Sequence, residues 1–162
     1  MPNWTVVELA PGVALFMEAE GDALRRAVFG QDQAHPPEGW KDEDRADRDP
    51  LLRQAAKELK DYMAGKRRVF SVSFELDGTE FQCRVWAELC KIPFGELSTY
   101  AAIAEALGQP KATRAVGAAN GRNPLPVIVP CHRVIASDGT LAGYSGGVEI
   151  KRLLLRREGI EL

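Results

Sequence analysis

Residues 70–89 read Phe70-Ser71-Val72-Ser73-Phe74-Glu75-Leu76-Asp77-Gly78-Thr79-Glu80-Phe81-Gln82-Cys83-Arg84-Val85-Trp86-Ala87-Glu88-Leu89. The apolar period changes inside this stretch. Phe70, Val72, Phe74 and Leu76 alternate with Ser71, Ser73 and Glu75, which predicts a half-buried strand. After Asp77-Gly78, Phe81, Val85, Trp86 and Leu89 recur at helical spacing, and Thr79-x-x-Gln82 has the form of a capping box. The domain boundary is therefore placed near Asp77. Residues 1–77 are expected to form an N-terminal α/β domain and residues 78–162 a helical C-terminal domain, together an α+β protein.

On the N-terminal side, Thr5–Leu9 and Val13–Glu18 read as strands around the turn signal Ala10-Pro11-Gly12, with a third strand over Ala23–Phe29. Residues 31–49 are polar and carry the charge run Lys41–Asp49, so they are expected to be a solvated surface loop. Asp49-Pro50 looks like an N-cap followed by proline at the first helical position. Leu51, Leu52, Ala55, Ala56, Leu59, Tyr62 and Met63 follow at helical spacing, and Gly65 closes the helix.

On the C-terminal side, alanine and glycine dominate residues 98–120. Ser98 is expected to cap a helix from Thr99 to Leu107, and a second helix spans Lys111–Asn120 after the link Gly108-Gln109-Pro110. Gly117 inside that helix costs about 1 kcal/mol against alanine. It lets a backbone lie close either to a neighbouring helix or to a groove of DNA. Arg114 is either a surface arginine or a side chain that reaches into a duplex, and Tyr100 either a core aromatic or a phenol donor to a ligand.

Composition narrows the function classes. The 162 residues are 45% hydrophobic and 27% charged, values of a globular protein rather than a disordered one. No apolar run approaches membrane-spanning length, and Met1-Pro2-Asn3-Trp4 does not resemble a signal peptide, so a cytoplasmic location without membrane association is expected. Three cysteines, Cys83, Cys90 and Cys131, make neither a disulfide framework nor a CxxC pair, and two histidines do not complete a structural zinc site. Residues 1–95 hold 13 positive and 17 negative charges, and residues 96–162 hold 8 and 6. The second half is thus mildly basic, compatible with a short footprint on phosphates but equally with an ordinary surface.

Chemistry concentrates near Pro130-Cys131-His132-Arg133-Val134. Val127-Ile128-Val129, fenced by prolines, reads as a short buried strand that delivers Cys131 at its end. An adjacent imidazole can draw off a thiol proton. Neighbouring side chains on an extended chain point to opposite faces, so cooperation of Cys131 with His132 requires a bend at Cys131 or a bridging water. Ile150, Leu153 and Leu154 give the last helix an apolar face, and Glu158 continues it where the helix dipole disfavours a carboxylate. Glu158 is either a frayed terminal residue or the group that orients His132. Gly143-Tyr144-Ser145-Gly146-Gly147 is either a linker or a loop that brings backbone N–H groups to a ligand.

Several elements occur in one order: Phe81-Gln82-x-x-Val85-Trp86, Ile92-Pro93-x-Gly95, Tyr100-x-x-Ile103-Ala104, Arg114-Ala115-Val116-Gly117-x-Ala119, Asn123-Pro124, Ile128-Val129-Pro130-Cys131-His132-Arg133-Val134-Ile135, Leu141-x-Gly143-Tyr144-x-Gly146-Gly147 and Lys151-x-x-Leu154-Leu155-x-x-Glu158. Together they closely resemble the O6-alkylguanine-DNA alkyltransferases over residues 79–158. The strand-strand-strand-helix order of residues 1–77 is similar to that family's N-terminal domain. The resemblance implies a ribonuclease H-like N-terminal domain and a winged-helix-like helix-turn-helix in the C-terminal one.

It also implies roles. Cys131 would accept the alkyl group, His132 would activate it through a water, Glu158 would orient His132, and Asn123 would hold the turn. Tyr100 would contact and rotate the base, and Arg114 would fill its vacated place. Val134, Ser145 and Tyr144 would line the pocket, with Ala112, Thr113, Ala115, Gly117, Ala118 and Arg122 on DNA. The partner would be double-stranded DNA containing O6-alkylguanine, met in the minor groove by the second helix of a monomer, with no cofactor and no metal. The chain is too short for the fused phosphotriester-repair module of some relatives. The absence of cysteine from residues 1–82 speaks against an N-terminal zinc. The alternatives are a lesion sensor that binds without repairing, whose relatives lack the acceptor cysteine, and a cysteine hydrolase.

Overall fold

Alternating apolar residues on either side of two tight turns build the N-terminal sheet. A computed structural model describes residues 2–141 and 143–162. Strands β1 (Asn3–Ala10), β2 (Val13–Glu20) and β3 (Ala23–Gly30) form an antiparallel sheet in the order β1-β2-β3. Helix α1 (Pro50–Met63) packs against it, with Asp49 accepting the N–H of Leu52 at its N-terminus. Leu15, Phe16, Met17 and Leu24 from the sheet and Leu52, Leu59 and Tyr62 from α1 are fully buried. The chain divides into two compact units, Met1–Leu76 and Asp77–Leu162.

Two expectations for the first unit need correction. Residues 70–76 do not form a strand; among the described residues one parallel bridge, Leu24 to Phe74, is the pairing they make, and Phe74 is exposed. The reason is Glu58, a buried carboxylate on α1. It accepts the backbone N–H groups of Ser71 (2.7 Å) and Val72 (3.2 Å) and the Ser71 hydroxyl (2.8 Å), so these donors serve α1 rather than a sheet. Residues 31–49 are likewise more than a solvated loop. Trp40 packs on the cluster of Trp4, Val6, Ala14 and Phe16, and the Trp4 indole donates to Lys41 O at 2.7 Å. Thr5 donates to Asp47 at 2.7 Å, which ties the end of this loop to β1.

The second unit is helical. Helix α2 (Glu80–Leu89) starts with both halves of the Thr79/Gln82 capping box in place. Ser98 is not the cap of the next helix: Ser98–Thr99 form the short strand β4, and Thr99 caps α3 (Tyr100–Ala106). Strand β4 pairs in parallel with β5 (Val134–Ile135). Helix α4 (Thr113–Gly121) begins two residues later than the proline signal suggested, because Ala112 bonds back to Gln109 and turns first. Helix α5 (Val148–Arg157) ends the unit. Helix α2 is bonded to α4 and to the residue that ends α3: Trp86 donates to Ala119 O at 2.9 Å and Arg84 to Leu107 O at 2.9 Å.

Candidate active site

Prolines at 124, 126 and 130 remove the donors a strand would need. Val127–Val129 is therefore a set of turns rather than the expected strand. Val127 takes a positive φ of 75°, rare for a β-branched residue, and Val129 N–H closes on Leu125 O at 3.0 Å. Asn123 supplies the missing partners: its amide donates to Val129 O at 2.9 Å, and its carbonyl accepts Leu125 N–H at 3.0 Å. Across Pro130 (φ −80°, ψ 61°), Cys131 N–H bonds to Val129 O at 2.8 Å, an inverse γ-turn. A 3-10 turn, Cys131–Arg133, follows directly. The chain thus bends at Cys131, where an extended backbone would have sent Cys131 and His132 to opposite faces.

Behind this bend lies a buried charge cluster. Glu158, just past the end of α5, accepts His132 Nε2 at 2.7 Å. It also accepts Arg133 Nε at 2.8 Å, Arg133 Nη2 at 3.1 Å and the N–H of Gly95 at 2.9 Å. Arg133 in turn donates to Ile92 O at 2.7 Å. Burial alone would raise the Glu158 carboxyl, but hydrogen bonds from His132, Arg133 and Gly95 outweigh it and hold the group at about 2. Burial drives the His132 imidazole below its ordinary value, with Glu158 pulling the other way. An ionised Glu158 facing Nε2 fixes the hydrogen of the neutral ring on that nitrogen and leaves Nδ1 as the basic one.

The Cys131 thiol is raised by burial and lowered in part by hydrogen bonds with Asn123 and Tyr144 and by the charge of Lys151. It therefore rests as a thiol and needs a base to react. Lys151 is fully buried, donates to Val134 O at 2.7 Å, and is pushed below the ordinary lysine value by burial. Tyr100 stands at the start of α3, half-buried; burial and then the neighbouring Cys131 raise its phenol, while a hydrogen bond with Asn120 lowers it. The pairing of Ser98 with Val134 and of Thr99 with Ile135 carries Tyr100 to the cysteine turn.

The proposed site residues thus divide into two groups. Cys131, His132, Asn123, Glu158 and Val134 are buried and meet at the turn, with Tyr144 and Tyr100 half-buried beside Cys131. Ser145 is exposed on the loop before α5. On α4, Arg114, Ala115, Ala118 and, just past its end, Arg122 are exposed, while Ala112, Thr113 and Gly117 are half-buried. Sequence reasoning missed Arg133, Lys151 and Asn120. The signal for Lys151 was there: Lys151, Leu154, Leu155 and Glu158 are spaced i, i+3, i+4, i+7, and this is the buried face of α5, whereas Ile150 and Leu153 are half-buried. Cys90 is exposed, away from the cysteine turn in sequence.

Comparison with known proteins gives the family. Residues 80–160 match the model of the 6-O-methylguanine DNA methyltransferase, DNA binding domain. A methylated-DNA–protein-cysteine methyltransferase of Methanosarcina acetivorans is 45% identical over 147 residues, covering 91% of each chain. The chain belongs to the methylated-DNA–protein-cysteine methyltransferase family. The constitutive member from Bacillus subtilis is 42% identical to this methyltransferase over 161 residues, 99% of this chain and 97% of the other. The structure of Mycobacterium tuberculosis OGT in complex with DNA superposes with a TM-score of 0.83 at 39% identity, covering 97% of this chain and 93% of that one.

Proposed function

We propose that the protein repairs DNA by direct reversal, moving an alkyl group from O6 of a flipped-out guanine to its own Cys131. The observation that carries this reading is Cys131 at a bend of the chain, beside a neutral His132 held through Nε2 by Glu158. His132 takes the thiol proton through a water at Nδ1. The S–C bond forms as the C–O6 bond breaks, and the electron pair leaves with the purine, which is then protonated. The product is a thioether with no carbonyl for water to attack, so each molecule reacts once. A cysteine hydrolase would instead turn over through an acyl intermediate.

A paired guanine keeps its O6 inside the duplex, so the nucleotide must leave the stack at a cost of a few kcal/mol. Helix α4 offers what docking needs: an outward face of Ala115 and Ala118, small enough for close approach in a minor groove, with Arg114 and Arg122 beside it. Arg114 takes the vacated place in the stack, Tyr100 meets the base, and Val134, Tyr144 and Ser145 border it. In this reading residues 78–162 are the winged-helix-like DNA-binding and alkyl-transfer domain, and residues 1–77 a ribonuclease H-like companion. The protein acts as a cytoplasmic monomer on double-stranded DNA; among the described residues no helix is long and apolar enough to cross a membrane. Asn123 serves by holding the Cys131 turn. A sensor that binds without repairing would have no use for the activated thiol.

The test is incubation with duplex DNA carrying a labelled alkyl group on O6 of guanine. Label should move to Cys131 once per molecule and be absent from Cys131→Ala. Label released to solution over many turnovers, or retained on the DNA, contradicts the reading.

A further inference from the structure

Asn120 lies on α4 with 4% of its surface exposed, one turn after Gly117. Positions three apart share a helix face, and Tyr100 covers this one: a Cβ added at Gly117 would meet Tyr100 Cδ1 at 4.0 Å. The Asn120 amide donates to Cys131 O at 3.4 Å, and Asn120 lies near enough to Tyr100 to lower its phenol. An amide NH2 has two hydrogens, so one remains for the Tyr100 oxygen. Burying an amide is unfavourable without good partners. The bond to Cys131 O is at the long end for N–H···O, and Asn120 Oδ1 has no donor partner among the described residues. The amide is thus only weakly satisfied by the fold, and asparagine at this position calls for a further reason.

We propose that Asn120 is a positioning residue: it donates to the Tyr100 hydroxyl, which turns the phenol O–H outward as a donor to the extruded base, and it ties that phenol to the peptide carrying Cys131. The proposal rests on the alkyl-transfer reading above. A phenol oxygen that already accepts from Asn120 is oriented with its own hydrogen elsewhere. Burial keeps the phenol protonated at neutral pH, so it stays a donor. A fixed donor is worth most where charge develops, and here negative charge develops on the purine as it leaves.

A double-mutant cycle tests this, with label transfer from duplex O6-alkylguanine measured for wild type, Asn120→Leu, Tyr100→Phe and the double variant. One oriented hydrogen bond predicts that Asn120→Leu is about tenfold slower, while the double variant is within about twofold of Tyr100→Phe alone. Tyrosine labelled with 13C at Cζ should show the Tyr100 phenol titrating at higher pH in Asn120→Leu, because a donor to the phenolate has gone. Multiplicative losses, an unshifted titration, or wild-type speed in Asn120→Leu each overturn the proposal. Asn120→Ala replaces the leucine variant if that one melts early. Failure of the underlying reading has a different signature: the wild type itself then takes no label.

Discussion

Glu158 keeps its charge through protein donors rather than water, and this makes it a liability in acid. Its folded value of about 2 lies below the ordinary 4.5, so its contribution to stability is complete above the ordinary value and is lost as pH falls toward 2. His132 acts in the same direction: its folded value is depressed, so protonation below about pH 6.5 favours the unfolded chain. Thermal melting should therefore fall in two stages, one below about pH 6.5 and a steeper one below about 4.5; a flat profile between pH 7 and 3 would contradict both assignments. Glu158→Gln leaves Arg133 buried without a counter-charge, which should destabilise by roughly 3–5 kcal/mol in urea titration. Lys151→Met removes the cation that lowers the Cys131 thiol, so the pH at which a small alkylating reagent reaches half-maximal rate on Cys131 should rise. An unchanged profile would detach Lys151 from the sulfur.

Helix α4 and the turn after it each carry a residue that breaks a local rule. Gly117 weakens its helix, yet within the fold it is not required: an added Cβ would make only an ordinary contact with Tyr100. Gly117→Ala should therefore raise stability by up to about 1 kcal/mol. If α4 lies in a DNA groove, the same change should weaken duplex binding, and the two effects would have opposite signs. Equal or tighter binding would argue for a purely internal role. Val127 is the reverse case, a buried residue held at positive φ. Glycine relieves that backbone strain and alanine does not, by about 1–2 kcal/mol. Val127→Gly should then be more stable than Val127→Ala in chemical denaturation, against the usual order at ordinary φ.

At the scale of the molecule, a net charge of −2 with a mildly basic second half predicts modest electrostatic attraction to DNA. Three exposed cations, Lys111, Arg114 and Arg122, lie on or next to α4. Displacement of counterions by three contacts gives a slope near −3 for log affinity against log salt, about −0.9 per phosphate. Anisotropy titrations steeper than about −6 would require a second basic surface. The first N-terminal turn, the caps Asp49 and Thr79, the helix that starts after Asp77-Gly78 and the Cys131-His132 pair were all legible in the sequence. Each depends on neighbours within a few residues, and backbone sterics, capping and side-chain period act at that range. Residues 70–76 were misread because alternation describes which faces are apolar, not which donors are free, and Glu58 takes those donors from 13 residues away. Arg133 and His132 find Glu158 across 25 and 26 residues, and Lys151 finds Val134 across 17. Such pairings depend on how distant segments come together in space, so the sequence by itself determined most of the elements and the candidate nucleophile, while only the tertiary structure decided which charges surround it.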